Sequence, residues 1–161
     1  MVLSRYMSII HVENTNLLSF DKVQSIAHQA NCFNTMGSGI AKQIRETYPE
    51  AYEADCRTTK GDRTKLGKFS WVKAKDGKHI YNCYSQYNYG LGQRHTNYEA
   101  IFTGLTSIKS HAETHDLNSL GLPHLMGCKL GGGSWRIVNS IIEEIFSDDT
   151  DFTLYICRYD P

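Results

Sequence analysis

Apolar and polar positions along this chain switch between a period of two and a period near 3.6, and the switches mark its elements. Ser8 to Glu13 (SIIHVE) reads as a first strand, and Ser25 to Gln29 as a second, buried one. After Gly39 the period lengthens. Ala41, Ile44 and Tyr48 share a helical face, and Pro49 either closes that helix or starts another piece through Ala51, Tyr52 and Cys56. KFSWVKA and HIYNCY flank Lys75-Asp76-Gly77-Lys78, whose Asp-Gly pair predicts a hairpin between antiparallel strands. Thr96-x-x-Glu99 has capping-box spacing, and Tyr98, Ile101, Leu105 and Ile108 carry a helix onward from it. Ser119 to Pro123 predicts a short buried strand. Val138, Ile141, Ile142 and Ile145 line a further helix, and FTLYIC predicts a closing strand.

Strands alternating with helices predict an α/β fold rather than a bundle or a sandwich. Twice the order runs strand, glycine loop, helix: at Gly37 to Gly39 and at Gly127 to Gly133. Both loops fall at the carboxyl ends of strands, where open α/β sheets place ligands. Such loops suit phosphate, because glycine lets backbone N–H groups approach an anion and the following helix presents its positive end. Neither loop matches GxxxxGK[ST], and neither gives GxGxxG on a first strand. Tight turns and helix starts are the alternative use of the same glycines.

The 161 residues, 40% hydrophobic and 21% charged, suit one globular domain spanning 1–161. Seventeen Lys+Arg balance seventeen Asp+Glu. Bulk charge therefore gives no drive toward a phosphate polymer, and a small ligand fits better. No apolar run approaches the ~20 residues that span a bilayer, and MVLSRYMSII lacks a signal peptide's apolar region, so a cytoplasmic protein without membrane contact is expected. Cysteines at 32, 56, 83, 128 and 157 form no CxxC pair, which predicts reduced thiols and no thiolate zinc site. His111 and His115 have i,i+4 spacing, but their Glu is misplaced for HExxH and they sit where a helix C-terminus favours histidine. Neither a metal nor a cofactor is expected.

"IAHQANC", "MGSGIAKQI", "LPHLMGCKLGGGSW" and "FTLYIC" together resemble a macrodomain, the ADP-ribose-binding module. The resemblance covers nearly the whole chain. It is nearest the branch holding yeast-type ADP-ribose 1″-phosphate phosphatases and terminal ADP-ribose protein glycohydrolases, phage-encoded members included. It implies a three-layer α/β/α fold with a central mixed sheet and a ligand cleft across the sheet's carboxyl end. By that resemblance, Gly37, Ser38, Gly39 and Ile40 would cradle one phosphate and the near side of the distal ribose. Gly127, Cys128, Lys129, Leu130, Gly131 and Gly132 would close over the other. Asn16 corresponds to a residue contacting adenine, although an Asn after a strand equally forms turns. Asn31 corresponds to the asparagine holding the distal ribose. His28 corresponds to a catalytic position in the yeast-type phosphatases, where an imidazole of pKa near 6.5 could move a proton.

The implied function is binding ADP-ribose and hydrolysing a 1″-linked group, ADP-ribose 1″-phosphate to ADP-ribose and phosphate first. Alternatives are hydrolysis of ADP-ribose from modified protein or nucleic acid, and a non-catalytic reader. The chain departs from the glycohydrolase pattern at two charged positions. That pattern has a lysine after the strand that here ends Tyr84-Ser85-Gln86, and an aspartate where Leu130-Gly131-Gly132 stands. One residue near Met126 is also additional. In YSQYNYGLGQR, Tyr87 or Tyr89 is the expected substrate contact, while Trp135 is the expected apolar anchor of its helix.

Overall fold

The run Ser25–Asn31 sends Ile26 into one hydrophobic cluster and Ala27 into another. A strand with both faces covered must lie inside a sheet. In the computed structural model, which describes residues 8–149 and 151–161, this run is β2. The other strands are β1 (Ile9–Val12), β3 (Phe69–Lys73), β4 (His79–Gln86), β5 (Ser119–Pro123) and β6 (Thr153–Cys157). The segment Met1–Met7, on which the signal-peptide reading rests, lies outside the described residues.

The sheet has six strands in the order β1-β6-β5-β2-β4-β3. All neighbours pair in parallel except β3 with β4, which form the hairpin expected around Asp76-Gly77. Four helices cover it: α1 (Gly39–Thr47), α2 (Pro49–Cys56), α3 (Tyr98–Thr114) and α4 (Trp135–Phe146). Pro49 starts a helix rather than only ending one, which its fixed φ and missing N–H allow at a first helical position. Ile26, Ile44, Ala51 and Ile80 fill the layer beneath α1 and α2. Ala27, Ile101, Leu105, Val138, Ile142 and Phe146 fill the layer beneath α3 and α4. The fold is therefore the three-layer α/β/α arrangement with a mixed central sheet.

One local expectation fails. Thr96 does not cap α3; Asn97 does, its side chain accepting from the Ala100 amide at 2.9 Å. Thr96 is buried and turns its hydroxyl toward the second glycine loop. No helix among the described residues is long and apolar enough to cross a membrane.

The topology places the site. Connections from β2 lead toward β4 and β3, and those from β5 lead toward β6, so the chain's course reverses between β2 and β5. At such a switch point the loops leaving two adjacent parallel strands diverge and leave a crevice.

Candidate functional site

That crevice is a cavity of ≈ 590 Å³ lined at Asn31, Gln86, Pro123 and Cys157 by the ends of β2, β4, β5 and β6. Asn16, a few residues beyond β1, lines its far end. The volume lies in the usual range for small-molecule sites.

The first loop forms one wall, with Gly37, Ser38, Gly39 and Ile40 all on the cavity. Gly39 has φ +58°, a left-handed conformation that admits glycine without a Cβ clash. Ser38 occupies the cap position of α1 without making a side-chain capping bond. The first-turn amides of a helix have no intrahelical partner, so those of α1 are left to an anion at the helix's positive end. Asn31 also lines the cavity, and its side chain is already engaged by the loop: Nδ2 donates to Thr35 Oγ1 at 2.7 Å and Oδ1 accepts from the Phe33 amide at 2.8 Å.

The second loop forms the opposite wall through Gly127, Lys129, Leu130 and Gly131. The two walls meet where a Cβ on Gly39 would stand 3.7 Å from Leu130 Cδ1. Gly131 is held from behind, its carbonyl accepting from the His95 and Thr96 amides at 2.8 and 3.0 Å. Gly127 is held likewise, its carbonyl accepting from Thr96 Oγ1 at 2.5 Å and from the Gly133 amide at 2.8 Å. Cys128 and Gly132 stand outside this wall. Cys128 points its thiol at the Met126 carbonyl and packs on the α3/α4 core, and burial pushes its pKa up to about 11. Gly132 faces the backbone of Gln93 and Arg94.

Two further expectations, His28 and Tyr87, are corrected by burial and direction. His28 is wholly buried beneath α2, one pleat deeper in β2 than Ala30 on the same face, and does not line the cavity. Its Nε2 donates to Asn82 Oδ1 at 2.7 Å, Asn82 Nδ2 donates onward to the Ala51 carbonyl, and Nδ1 has no partner among the described residues. Burial lowers the His28 pKa to about 4, so it is a neutral core residue with no access to a substrate proton. Tyr87 packs edge-on against Phe33 and donates to the Gly61 carbonyl at 2.9 Å, away from the cavity, whereas Tyr89 lines it. Asn16 lines the cavity, but its Oδ1 accepts from the Leu18 amide at 3.0 Å and caps a short turn. That oxygen has a second lone pair, so the backbone bond leaves it able to receive an exocyclic amine.

Two glutamines form the floor that sequence reading passed over. Gln29 Oε1 accepts from Ser85 Oγ at 2.7 Å, while its Nε2 donates to Gln86 Oε1 at 2.8 Å and to Thr96 Oγ1 at 3.0 Å. Both glutamines line the cavity. Gln29 lies in the quoted "IAHQANC", but only the packed structure shows that it, rather than His28, reaches the site. The cavity's far end is closed by Arg158, Tyr159 and Asp160 beyond β6, where Arg158 Nε donates to Asp160 at 2.9 Å. His124 also lines the cavity and stands edge-on to Trp135, its pKa lowered by burial and by Arg158. Trp135 packs on the α3/α4 core, as an anchor does.

The macro domain family model matches residues 27–142, from β2 through α4. The chain belongs to the macro domain family. An uncharacterised 17.5 kDa protein of Enterobacteria phage T4 is 28% identical over 138 residues, covering 85% of this chain and 89% of that protein. A DNA ADP-ribosyl transferase–DNA ADP-ribosyl glycohydrolase fusion protein of Thermosipho africanus is 26% identical, and the match covers 76% of this macrodomain but 35% of the fusion. Among solved structures, the DarG macrodomain of Thermus aquaticus superposes with TM-score 0.74 at 22% identity, over 95% of this chain and 98% of that one. The Trypanosoma brucei macrodomain in complex with ADP-ribose superposes with TM-score 0.68 at 15% identity, over 96% of this macrodomain and 65% of that chain.

Proposed function

We propose that the macrodomain binds ADP-ribose in the cavity at the β2/β5 switch point. The observation carrying this reading is the pair of facing glycine loops, one opening α1 and the other held from behind by Thr96. Together they offer backbone donors to two neighbouring phosphates, with Lys129 on the second wall as an added cation. Four or five N–H bonds to a charged pyrophosphate at ~1.5–3 kcal/mol each sum to roughly 6–15 kcal/mol, and the upper part of that range, less an immobilisation cost of about 4 kcal/mol or more, corresponds to affinity near micromolar. Calorimetry with ADP-ribose tests this. In Gly39→Glu the carboxylate would occupy phosphate space at a position with φ +58°, and binding is expected to vanish. Unchanged affinity in that folded variant would remove the cavity assignment.

The reaction proposed at the same site is hydrolysis of ADP-ribose 1″-phosphate to ADP-ribose and phosphate. With His28 turned away, the polar side chains that the strands β2 and β4 themselves put on the cavity are Gln29, Asn31 and Gln86, none of which titrates. Catalysis there would act by positioning the water and the phosphate, with proton transfers handled by the substrate's own phosphate oxygens. The Thermosipho relative's activity on DNA supports a second substrate, ADP-ribosylated nucleic acid, for the same cavity. Phosphate release from ADP-ribose 1″-phosphate, compared with ADP-ribose release from a modified oligonucleotide, separates the two. Binding without either release would make the protein a reader.

A further inference from the structure

The balanced total charge hides a local excess. Between Arg57 and Lys68 the chain carries Arg57, Lys60, Arg63, Lys65 and Lys68 against one acid, Asp62. Of these cations only Lys65 is buried, where it donates to Asn34 Oδ1 and the Cys32 carbonyl. The other four are exposed. The Asp62 carboxylate is committed to the Thr64 amide and hydroxyl at 2.8 and 2.7 Å.

This basic segment is tied to the cavity's rim. The Gly61 amide donates to the Cys32 carbonyl at 2.7 Å, Asn34 Nδ2 donates to the Thr58 carbonyl at 2.9 Å, and Tyr87 donates to the Gly61 carbonyl. Three aromatic rings continue from there to the mouth. Arg63 lies 3.7 Å over the Tyr87 ring, Tyr87 stands 5.0 Å from Phe33, and Phe33 stands 6.4 Å from Tyr89, which lines the cavity and is 53% exposed.

Exposed cations beside an exposed aromatic match what holds a single nucleic-acid strand without sequence preference: cations follow phosphates and rings stack on bases, Tyr89 being the ring open to a base and Phe33 and Tyr87 its packed support. A protein interface is depleted of lysine, whereas Lys60 and Lys68 stand exposed in this segment. We propose that the surface formed by Lys60, Arg63, Phe33, Tyr87 and Tyr89 binds single-stranded nucleic acid and leads a nucleotide-linked ADP-ribose into the cavity. The surface stands on its own chemistry, and only the direction of entry rests on the ADP-ribose reading.

Fluorescence anisotropy of a labelled twelve-nucleotide single-stranded DNA of mixed sequence, and of its RNA counterpart, tests this with the full chain at low salt. Wild type is expected to bind at least one of them with affinity that falls steeply as salt rises. The double substitution Lys60→Glu with Arg63→Glu is expected to weaken that binding by tenfold or more. The same variant should keep its circular dichroism spectrum and its calorimetric affinity for ADP-ribose within about twofold, since neither residue lines the cavity. Absence of binding by wild type to both oligonucleotides, or binding that the double charge reversal leaves unchanged, would overturn the proposal. Absence of ADP-ribose binding by wild type would instead strike the cavity assignment and the direction of entry, while oligonucleotide binding that the double substitution weakens would still support the surface.

Discussion

A β-carbon added to Gly131 would meet Thr96 Oγ1, with Gln29 Nε2 at 2.7 Å and the Gly127 carbonyl oxygen at 2.8 Å behind it. Those three atoms already bond through the Thr96 hydroxyl, so none can yield without breaking the network. Gly131→Ala is therefore expected to cost about 1–3 kcal/mol in urea unfolding and to weaken ADP-ribose binding by tenfold or more. Equal affinity in calorimetry would show that the loop tolerates displacement. His28 yields a pH prediction. Its folded pKa, about 4, lies below the ordinary 6.5, so the unfolded chain takes up the proton first. Its contribution is fully present above pH 6.5 and is lost as pH falls toward 4, by up to about 3 kcal/mol. His79 and His111, both lowered by burial, act in the same direction. Unfolding free energies at pH 7 and pH 4.5 should show the loss, and His28→Gln should reduce it. A His28→Gln protein with an unaltered pH slope would refute the buried-histidine account.

At the scale of elements, α3 separates two threads that its sequence runs together. Thr96 and Asn97 are adjacent, yet one holds the ligand loop and the other holds the helix. Asn97→Ala should cost ~1 kcal/mol of stability and leave ADP-ribose affinity nearly intact, because it removes only a cap. Thr96→Val should weaken binding severalfold, because the Gly127 carbonyl and Gln29 amide each lose a partner directly behind the cavity wall. Glu99→Ala, which would break a capping box, should do little. Denaturation and calorimetry on the three variants check the division. The reverse ranking, with Asn97→Ala losing ligand and Thr96→Val losing only helix stability, would invalidate it.

For the whole molecule, a ligand that binds the native state alone must raise its stability by mass action. With micromolar affinity, ADP-ribose at a hundredfold excess over Kd adds about 2.7 kcal/mol. For a chain of this size that corresponds to a rise of roughly 5–11 °C in Tm. Gly39→Glu should show no such rise. A thermal scan without any shift in wild type would count against the cavity as an ADP-ribose site. The net charge of zero is compatible with this ligand because the donors are backbone amides, and the basic segment by Arg63 lies to one side.

The elements were legible in the sequence because their signals are local. Periodicity, the Asp76-Gly77 turn and glycine before a helix act over a few residues, and each of these elements formed where the pattern placed it. The first loop was legible too: all of Gly37 to Ile40 reaches the cavity, because a helix start fixes where its own first amides point. What only the tertiary structure decided is which side chains face the ligand. His28 and Gln29 are neighbours in one strand, and the pleat sends them to opposite faces. Ala30, on the face of His28, still reaches the cavity, so what withholds His28 is its depth beneath α2 and its bond to Asn82, which lies far along the chain. The same holds for Thr96, whose neighbours Gln29 and Gly127 are brought to it by the sheet, and for Tyr87 and Tyr89, separated by the packing of Phe33. Spacing along a chain specifies a face of an element; only packing specifies what that face meets.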